Sequence, residues 1–436
     1  MSVGQPHRSS VLLTQRLLWN RALGGPPRPL PVVVLLGPVG SGKSTALNSI
    51  STACGAEVVH ALVDFQHDEP AAAGPTTVET LAQVAFDLSR RWKARPGTRF
   101  TRFTLGLIAV QALRKGQPRD EAKETLRVLI NAFTRNPRVD RVIKGLVDGL
   151  VDPAKSAGVL PALPAEVIKE LLPALIRTVA RQPVSRAKRW HAGIPQAGGA
   201  TPLDALVSLS GAKPTDITEW LTAAFLADIR ESHLRMAGPD RLSRCSCPNL
   251  NNARHWHNWV LLVDGLDHPG GATFITDLLT ARERHLRQHP GEHDALLVVA
   301  TSGRWDSHWE SRWQAPWRSP LANTGRARAV PLCHEASYEH WAGQASDAPR
   351  IPYYPVLLEP LTIDETAPIL EINQRAPECV LAQRATGGLP AAVHLLKGLL
   401  HEQEFRPGAR DVLGSDDPAR SDADPWRERL AGLRLA

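Results

Sequence analysis

One octapeptide limits the architectures open to this chain more than any other stretch: Gly37-Pro38-Val39-Gly40-Ser41-Gly42-Lys43-Ser44 fits the spacing G-x-x-x-x-G-K-[ST] at every specified position. That spacing works as the bend between a buried strand and a helix. Upstream, Val32-Val33-Val34-Leu35-Leu36 is apolar and rich in β-branched side chains, as a parallel strand covered on both faces requires. Downstream, Thr45 to Ile50 can continue as a helix. The glycines allow a tight turn, so that successive N–H groups and the positive helix end converge on the β- and γ-phosphates of a nucleotide. Gly37, Pro38, Val39, Gly40, Ser41, Gly42, Lys43, Ser44 and Thr45 are therefore candidate nucleotide-binding residues. Lys43 adds a point charge, and Ser44 offers a hydroxyl ligand to Mg²⁺. The competing reading is a glycine-rich turn with no ligand; a strand on one flank and a helix on the other argue against it.

The alternation of strand and helix continues for a while. Glu57 to Phe65 reads as a second strand, and Thr76 to Trp92 as an amphipathic helix with Val78, Leu81, Ala85 and Leu88 on one face. Before the first strand, Ser9 to Leu23 has helical spacing, ended by Gly24-Gly25-Pro26-Pro27. Beyond Lys93 the strands stop. Asp120 to Thr134, Val139 to Val151 and Pro164 to Gln182 each carry apolar residues at helical spacing, with a kink expected at Pro173. The chain then resumes: a helix begins near Thr215-Asp216, followed by a polar loop to Asn258. Strands are expected at Trp259 to Asp264, Ala295 to Ala300 and Pro355 to Leu358, and helices over Thr273 to Arg287, Ile363 to Asn373 and Pro377 to Leu400. The expected architecture is a three-layer α/β nucleotide-binding fold with a parallel sheet, its core split between 1–92 and 215–358. An all-helical insertion occupies 93–214, a C-terminal helical lid 359–404, and a disordered Asp-, Arg- and Pro-rich tail 405–436.

A chain of 436 residues with 43% hydrophobic content can bury a sizeable core. No run reaches the ~18 apolar residues of a membrane span, and the first residues lack a secretory pattern, so a cytoplasmic protein is expected. Five scattered cysteines suit free thiols in a reducing compartment. The net charge of +7 is unevenly spread: Val84 to Trp190 holds 22 Lys and Arg against nine Asp and Glu, so the rest of the chain is net acidic.

An apolar strand ending in Asp is the second element that a phosphate-loop ATPase needs. Asp264 fills it, as a carboxylate able to hold Mg²⁺ through water, and Asp267 is placed to orient or deprotonate the attacking water. Here the chain resembles the STAND class of signalling ATPases, and within it the NACHT type, whose second motif is a hydrophobic strand followed by Asp-Gly-hydrophobic-Asp-Glu. Val263-Asp264-Gly265-Leu266-Asp267-His268 follows that pattern until His268, which stands where the family has Glu. Leu297 to Arg304 is similar to the family's strand ending in Thr-Ser-Arg, with Gly303 as an extra residue; by resemblance Arg304 senses the γ-phosphate. Thr386-Gly387-Gly388-Leu389-Pro390 resembles the family's lid turn, in which the proline, here Pro390, lies against adenine. The resemblance implies an ATP/ADP switch with Mg²⁺, hydrolysing slowly, that self-associates or engages an effector protein. About 36 residues follow Leu400, so a reduced member, or one taking sensor and effector from other chains, is expected.

Two other readings stay open: a nucleic-acid-remodelling ATPase of the AAA+ type using the basic insertion, and a scaffold that binds ATP without hydrolysing it. Arg177, Arg181, Arg186, Lys188 and Arg189 are the candidate polyanion contacts, set against a solvated helix face. Trp305, Trp309, Trp313 and Trp317 recur every four residues, as a stacking surface or as core. Cys245-x-Cys247 and His255-x-His257 invite a zinc reading, but one intervening residue strains a tetrahedral ligand pair, and an ordinary loop is expected.

Overall fold

The computed structural model describes residues 17, 21–22, 30–55, 58–66, 75–90, 92, 98–113, 117–135, 165–179, 184–194, 201–236, 255–289, 294–317, 330–343 and 353–401. The expected helix at Val139 to Val151, Cys245 and Cys247, Arg181, the C-terminal tail and nearly all of the expected leading helix lie outside them.

Seven strands are described: β1 (Arg21–Ala22), β2 (Val32–Leu36), β3 (His60–Asp64), β4 (His255–Trp256), β5 (Trp259–Asp264), β6 (Leu296–Ser302) and β7 (Tyr353–Leu357). Five of them form one parallel sheet in the order β3-β5-β6-β2-β7, and β1 pairs antiparallel with β4. The fold is thus α/β with a parallel sheet, as expected from the strand patterns. Every residue of β2, β5 and β6 is buried, which is why these three read as unbroken apolar runs. β3, at one edge, leaves Leu62 39% exposed.

The chain divides into two compact units. One comprises Met1–Leu17, Pro31–Ala53 and Val299–Ala436, the other Leu18–Leu30 and Cys54–Val298, so β6 contributes residues to both.

In the first unit β2 pairs with β7 in register from Val32 opposite Tyr353 to Leu36 opposite Leu357. Helix α1 (Lys43–Cys54) follows the glycine-rich loop directly. Of the tryptophan series, Trp309 and Trp313 are buried and Trp317 is 69% exposed. The indole N–H of Trp313 donates to the Tyr353 carbonyl at 2.8 Å. Core packing therefore accounts for two of the four, and the local backbone is a short 3-10 turn at Ser307–Ser311. The helix expected over Pro377 to Leu400 is two helices, because Gly387 and Gly388 adopt left-handed φ of 61° and 70°.

The second unit holds α2 (Thr77–Leu88), α3 (Thr101–Ala112), α4 (Arg119–Arg135), α5 (Ala165–Val179), α6 (Ser185–Ala192), α7 (Pro202–Ser210), α8 (Pro214–Met236) and α9 (Pro269–Gln288). Thr76 and Glu79 close a reciprocal capping box at the start of α2, satisfying two otherwise orphan N–H groups. α5 runs through Pro173 as one helix. α9 starts at Pro269, earlier than the expected Thr273, since proline at the first helical position loses no hydrogen bond. Arg21–Ala22, expected as helix, is instead held as strand by His255–Trp256. Leu105, Ala109, Leu113, Leu126, Ile130 and Leu206 form a core among these helices. No described helix is long and apolar enough to cross a membrane.

In the first unit the remaining helices are α10 (Tyr338–Gly343), α11 (Ile363–Leu370), α12 (Pro377–Thr386) and α13 (Pro390–His401). The last three pack through Leu361, Leu370, Ala382, Val393 and Leu396.

Candidate functional site

The glycine-rich loop is shaped by backbone conformations that side chains resist. Gly40 and Gly42 have φ of 81° and 86°, where a Cβ would strain the chain. A Cβ on Gly37 would lie 2.4 Å from Ser41 Oγ, so that position is closed to larger residues by contact rather than by φ. Gly37 N–H donates to the Ser302 carbonyl at 3.3 Å and Ser41 N–H to the Pro38 carbonyl at 3.1 Å, tying the loop to the end of β6 and to itself.

Helix α1 begins at Lys43, and its first closing bond runs from Ala46 N–H to the Gly42 carbonyl at 2.8 Å. The N–H groups of Ser44 and Thr45 are thus first-turn donors of the kind that an external acceptor can take. No acidic side chain occupies that turn, so the positive end of the helix is left for an external anion. Lys43 Nζ donates to the carbonyls of Gly37 at 2.7 Å and Pro38 at 2.9 Å, which folds its charge back over the loop. Ser41 Oγ is buried with no hydrogen-bond partner, an unmet polar group inside the cradle.

Pro390 opens helix α13, and the next residue, Ala391, donates its N–H to the Gly40 carbonyl at 3.0 Å. The turn before it is rigid. Gly388 N–H bonds Thr386 Oγ1 at 3.3 Å and its carbonyl accepts from Leu361 N–H at 2.8 Å. A Cβ there would sit 2.5 Å from the Leu361 carbonyl oxygen. Arg304 lies just beyond β6, where Ser302 Oγ donates to its carbonyl at 2.6 Å and accepts from its N–H at 3.1 Å; the Arg304 side chain is exposed.

In the second unit Asp264 ends β5, nearly buried, and Asp64 is its register partner on β3. Gln66, which the sequence reading passed over, donates its side-chain amide to Asp264 Oδ1 at 2.7 Å, while its own N–H binds Asp64 Oδ1 at 2.8 Å. The signal was present as polar residues directly after an apolar strand. Gly265 turns the chain with φ 89°, and a Cβ there would meet His268 at 3.0 Å and Gln66 at 3.2 Å. Asp267 is exposed, and His268 is the residue immediately before α9, its side chain making no cap.

Each unit therefore gathers part of the expected set. Gly37 to Thr45, Arg304 and Pro390 belong to the first; Asp264, Asp267 and His268 belong to the second, joined there by Asp64 and Gln66. Among the described residues no group of three or more His, Cys, Asp or Glu is arranged to hold a metal ion. Neither the models of known protein families nor the curated proteins gave a match to this chain.

Proposed function

We propose that this chain is an ATP-binding switch of the STAND type that hydrolyses ATP slowly. The observation that carries the reading is the loop at Gly37 to Ser44: two left-handed glycines, a lysine at the first helical position, an acid-free helix start and a buried serine hydroxyl without a partner. These features fit a phosphate group, since all of them present hydrogen-bond donors or positive potential. The hydrogen bond from Ala391 to Gly40 supports the reading of Pro390 as part of a nucleotide lid.

MgATP, when bound, supplies a γ-phosphoryl group open to attack by water. In this reading Lys43 and the first-turn N–H groups bind its phosphates, and Ser44 and Asp264 serve Mg²⁺, Asp264 through water. An ion taking its other ligands from phosphate and water needs no all-protein cage. Asp267 accepts the proton of the attacking water, Arg304 reports the γ-phosphate, and Pro390 covers the base. The slow rate is expected because His268 cannot hold the fixed negative charge of a carboxylate.

Charge in the helical segment favours this reading over the nucleic-acid one. Arg102 binds Asp228 and Glu231, Arg186 binds Glu231, and Arg119 and Lys123 bind Asp204, so part of the cationic surplus is paired with carboxylates of the same unit.

Calorimetric titration with MgATP tests the proposal. Lys43→Ala is expected to weaken binding about 100-fold, the worth of a charge-assisted contact of ~3 kcal/mol. Asp267→Asn should keep the parental affinity while losing most turnover, and Asp264→Asn should lose Mg²⁺-dependent binding as well. Parental affinity in Lys43→Ala overturns the assignment of the loop, and parental turnover in Asp267→Asn overturns that of the base.

A further inference from the structure

The helices of the second unit form an open cavity of about 770 Å³, within the size range of small-molecule sites. α6, α8 and α9 supply its walls, and none of its lining residues belongs to the glycine-rich loop or to the acidic end of β5. The floor is apolar, built from Trp190, Trp220, Ala223, Leu226 and Ala227. Trp220 donates its indole N–H to His191 Nδ1 at 3.1 Å, so its one polar atom is already engaged.

Charge at the rim is unbalanced. Glu231 is shared by Arg102, Arg186 and Arg235, Asp228 binds Arg102 as well, and Arg284 pairs with Glu219. Arg230 lines the same cavity. Among the lining residues four guanidinium groups, of Arg102, Arg186, Arg230 and Arg284, stand with two carboxylates, of Glu219 and Glu231.

We propose that this cavity is a binding site for a small anion with a flat aromatic body, a carboxylate or sulfonate whose rings lie against Trp190 and the apolar side of α8 and whose charge meets Arg186 and Arg284. A neutral aromatic would make no use of the cationic lining. An inorganic anion would leave the apolar floor in water. The proposal does not rest on the reading of the glycine-rich loop, and its test is kept separate from it.

The probe is 8-anilinonaphthalene-1-sulfonate, titrated by fluorescence into the full chain at low salt. One saturable site is expected. N-phenyl-1-naphthylamine, with the same rings and no sulfonate, should bind about tenfold more weakly, as should the sulfonate to the Arg186→Gln/Arg284→Gln variant. Ala223→Trp should fill the cavity and abolish binding; should that variant fail to fold by circular dichroism, Ala223→Leu should reduce affinity several-fold. Lys43→Ala should bind the dye as the parent does. In competition, 2-naphthoate should act at lower concentration than decanoate. Any of three results overturns the proposal: no saturable binding, equal affinity for the neutral rings, or no change in Ala223→Leu. Stronger competition by decanoate overturns the aromatic specificity.

Discussion

In the glycine-rich loop a lysine is held by backbone carbonyls, whereas in the helical part of the second unit arginines are held by carboxylates. Lys43 Nζ rests on the oxygens of Gly37 and Pro38, neutral acceptors that a phosphate would outcompete. Arg102 binds Asp228 Oδ1 at 2.9 Å and Glu231, and Asp228 Oδ2 also accepts the Phe103 N–H at 3.0 Å. The first arrangement can release its cation to a ligand at little cost. The second cannot, because Asp228 is 1% exposed and, without Arg102, would lose its ion pair and have to take up a proton. A cation poised for binding and a cation locked for folding are thus told apart by their partners, not by their residue type.

The largest expected effect breaks the locked pair. Arg102→Ala should cost about 3–5 kcal/mol in urea unfolding, the penalty for removing one partner of a buried ion pair. Lys43→Ala should cost about 1 kcal/mol or less by the same measurement. Equal losses in the two variants would erase the distinction drawn above.

Acid separates two buried groups beside that pair. Burial holds His191 down to about 4 despite its bond to the Arg102 carbonyl. Its ring is neutral, with Nε2 donating to that carbonyl at 3.0 Å and Nδ1 accepting from Trp220. A depressed histidine contributes stability that is full above its ordinary 6.5 and is lost as pH falls towards about 4. Asp228 has the opposite sign: raised from 3.8 to about 7, it contributes stability that is full below 3.8 and is lost as pH rises through about 7. Between these limits the two oppose each other in the parent. His191→Gln should therefore gain stability on acidification from pH 7 to 4, and Asp228→Asn should lose it more steeply than the parent. Parallel pH profiles of unfolding midpoint in all three proteins would refute the assignment.

Effects smaller than that of Arg102→Ala concern two glycines. Gly42→Ala meets strain at φ 86°, about 1–2 kcal/mol, and no neighbouring substitution should restore it. Gly106→Ala in α3 instead places a Cβ 2.7 Å from Leu221 Cδ2, an overpacking cost of about 1–3 kcal/mol. Trimming Leu221 to Ala should recover part of that loss relative to Leu221→Ala alone, read as a thermal double-mutant cycle. If the second change rescues Gly42→Ala as well, the backbone argument for the loop fails.

Much of the sheet was legible because its strands are buried on both faces. β2, β5 and β6 announce themselves as apolar runs of Val, Leu and Ala. The edge strand β3 was placed only approximately, since its mixed exposure blurs the run. α3, with residues Arg102 to Val110 buried all round, carries no polar face and so no helical period to read. α4 was read closely for the opposite reason: its apolar residues recur on one face. At the acidic strand end Asp264 was visible by position, but Gln66 was not, because its partner lies 198 residues away.

The sequence by itself determined what is local: the strand, glycine-rich bend and helix from Val32 to Cys54, where φ preference, β-branching and helix-start chemistry act over a few neighbouring residues. Tertiary structure decided what depends on distant partners. Arg102 is an interior cation because Asp228 lies beside it across 126 residues. Arg21–Ala22 is a strand because His255–Trp256 pairs with it. The cavity exists because α6, α8 and α9 meet around Trp190 and Trp220. Periodicity can reveal which face of a helix is apolar, but the free energy that chooses its neighbour is gained only when surfaces far apart in the chain leave water together.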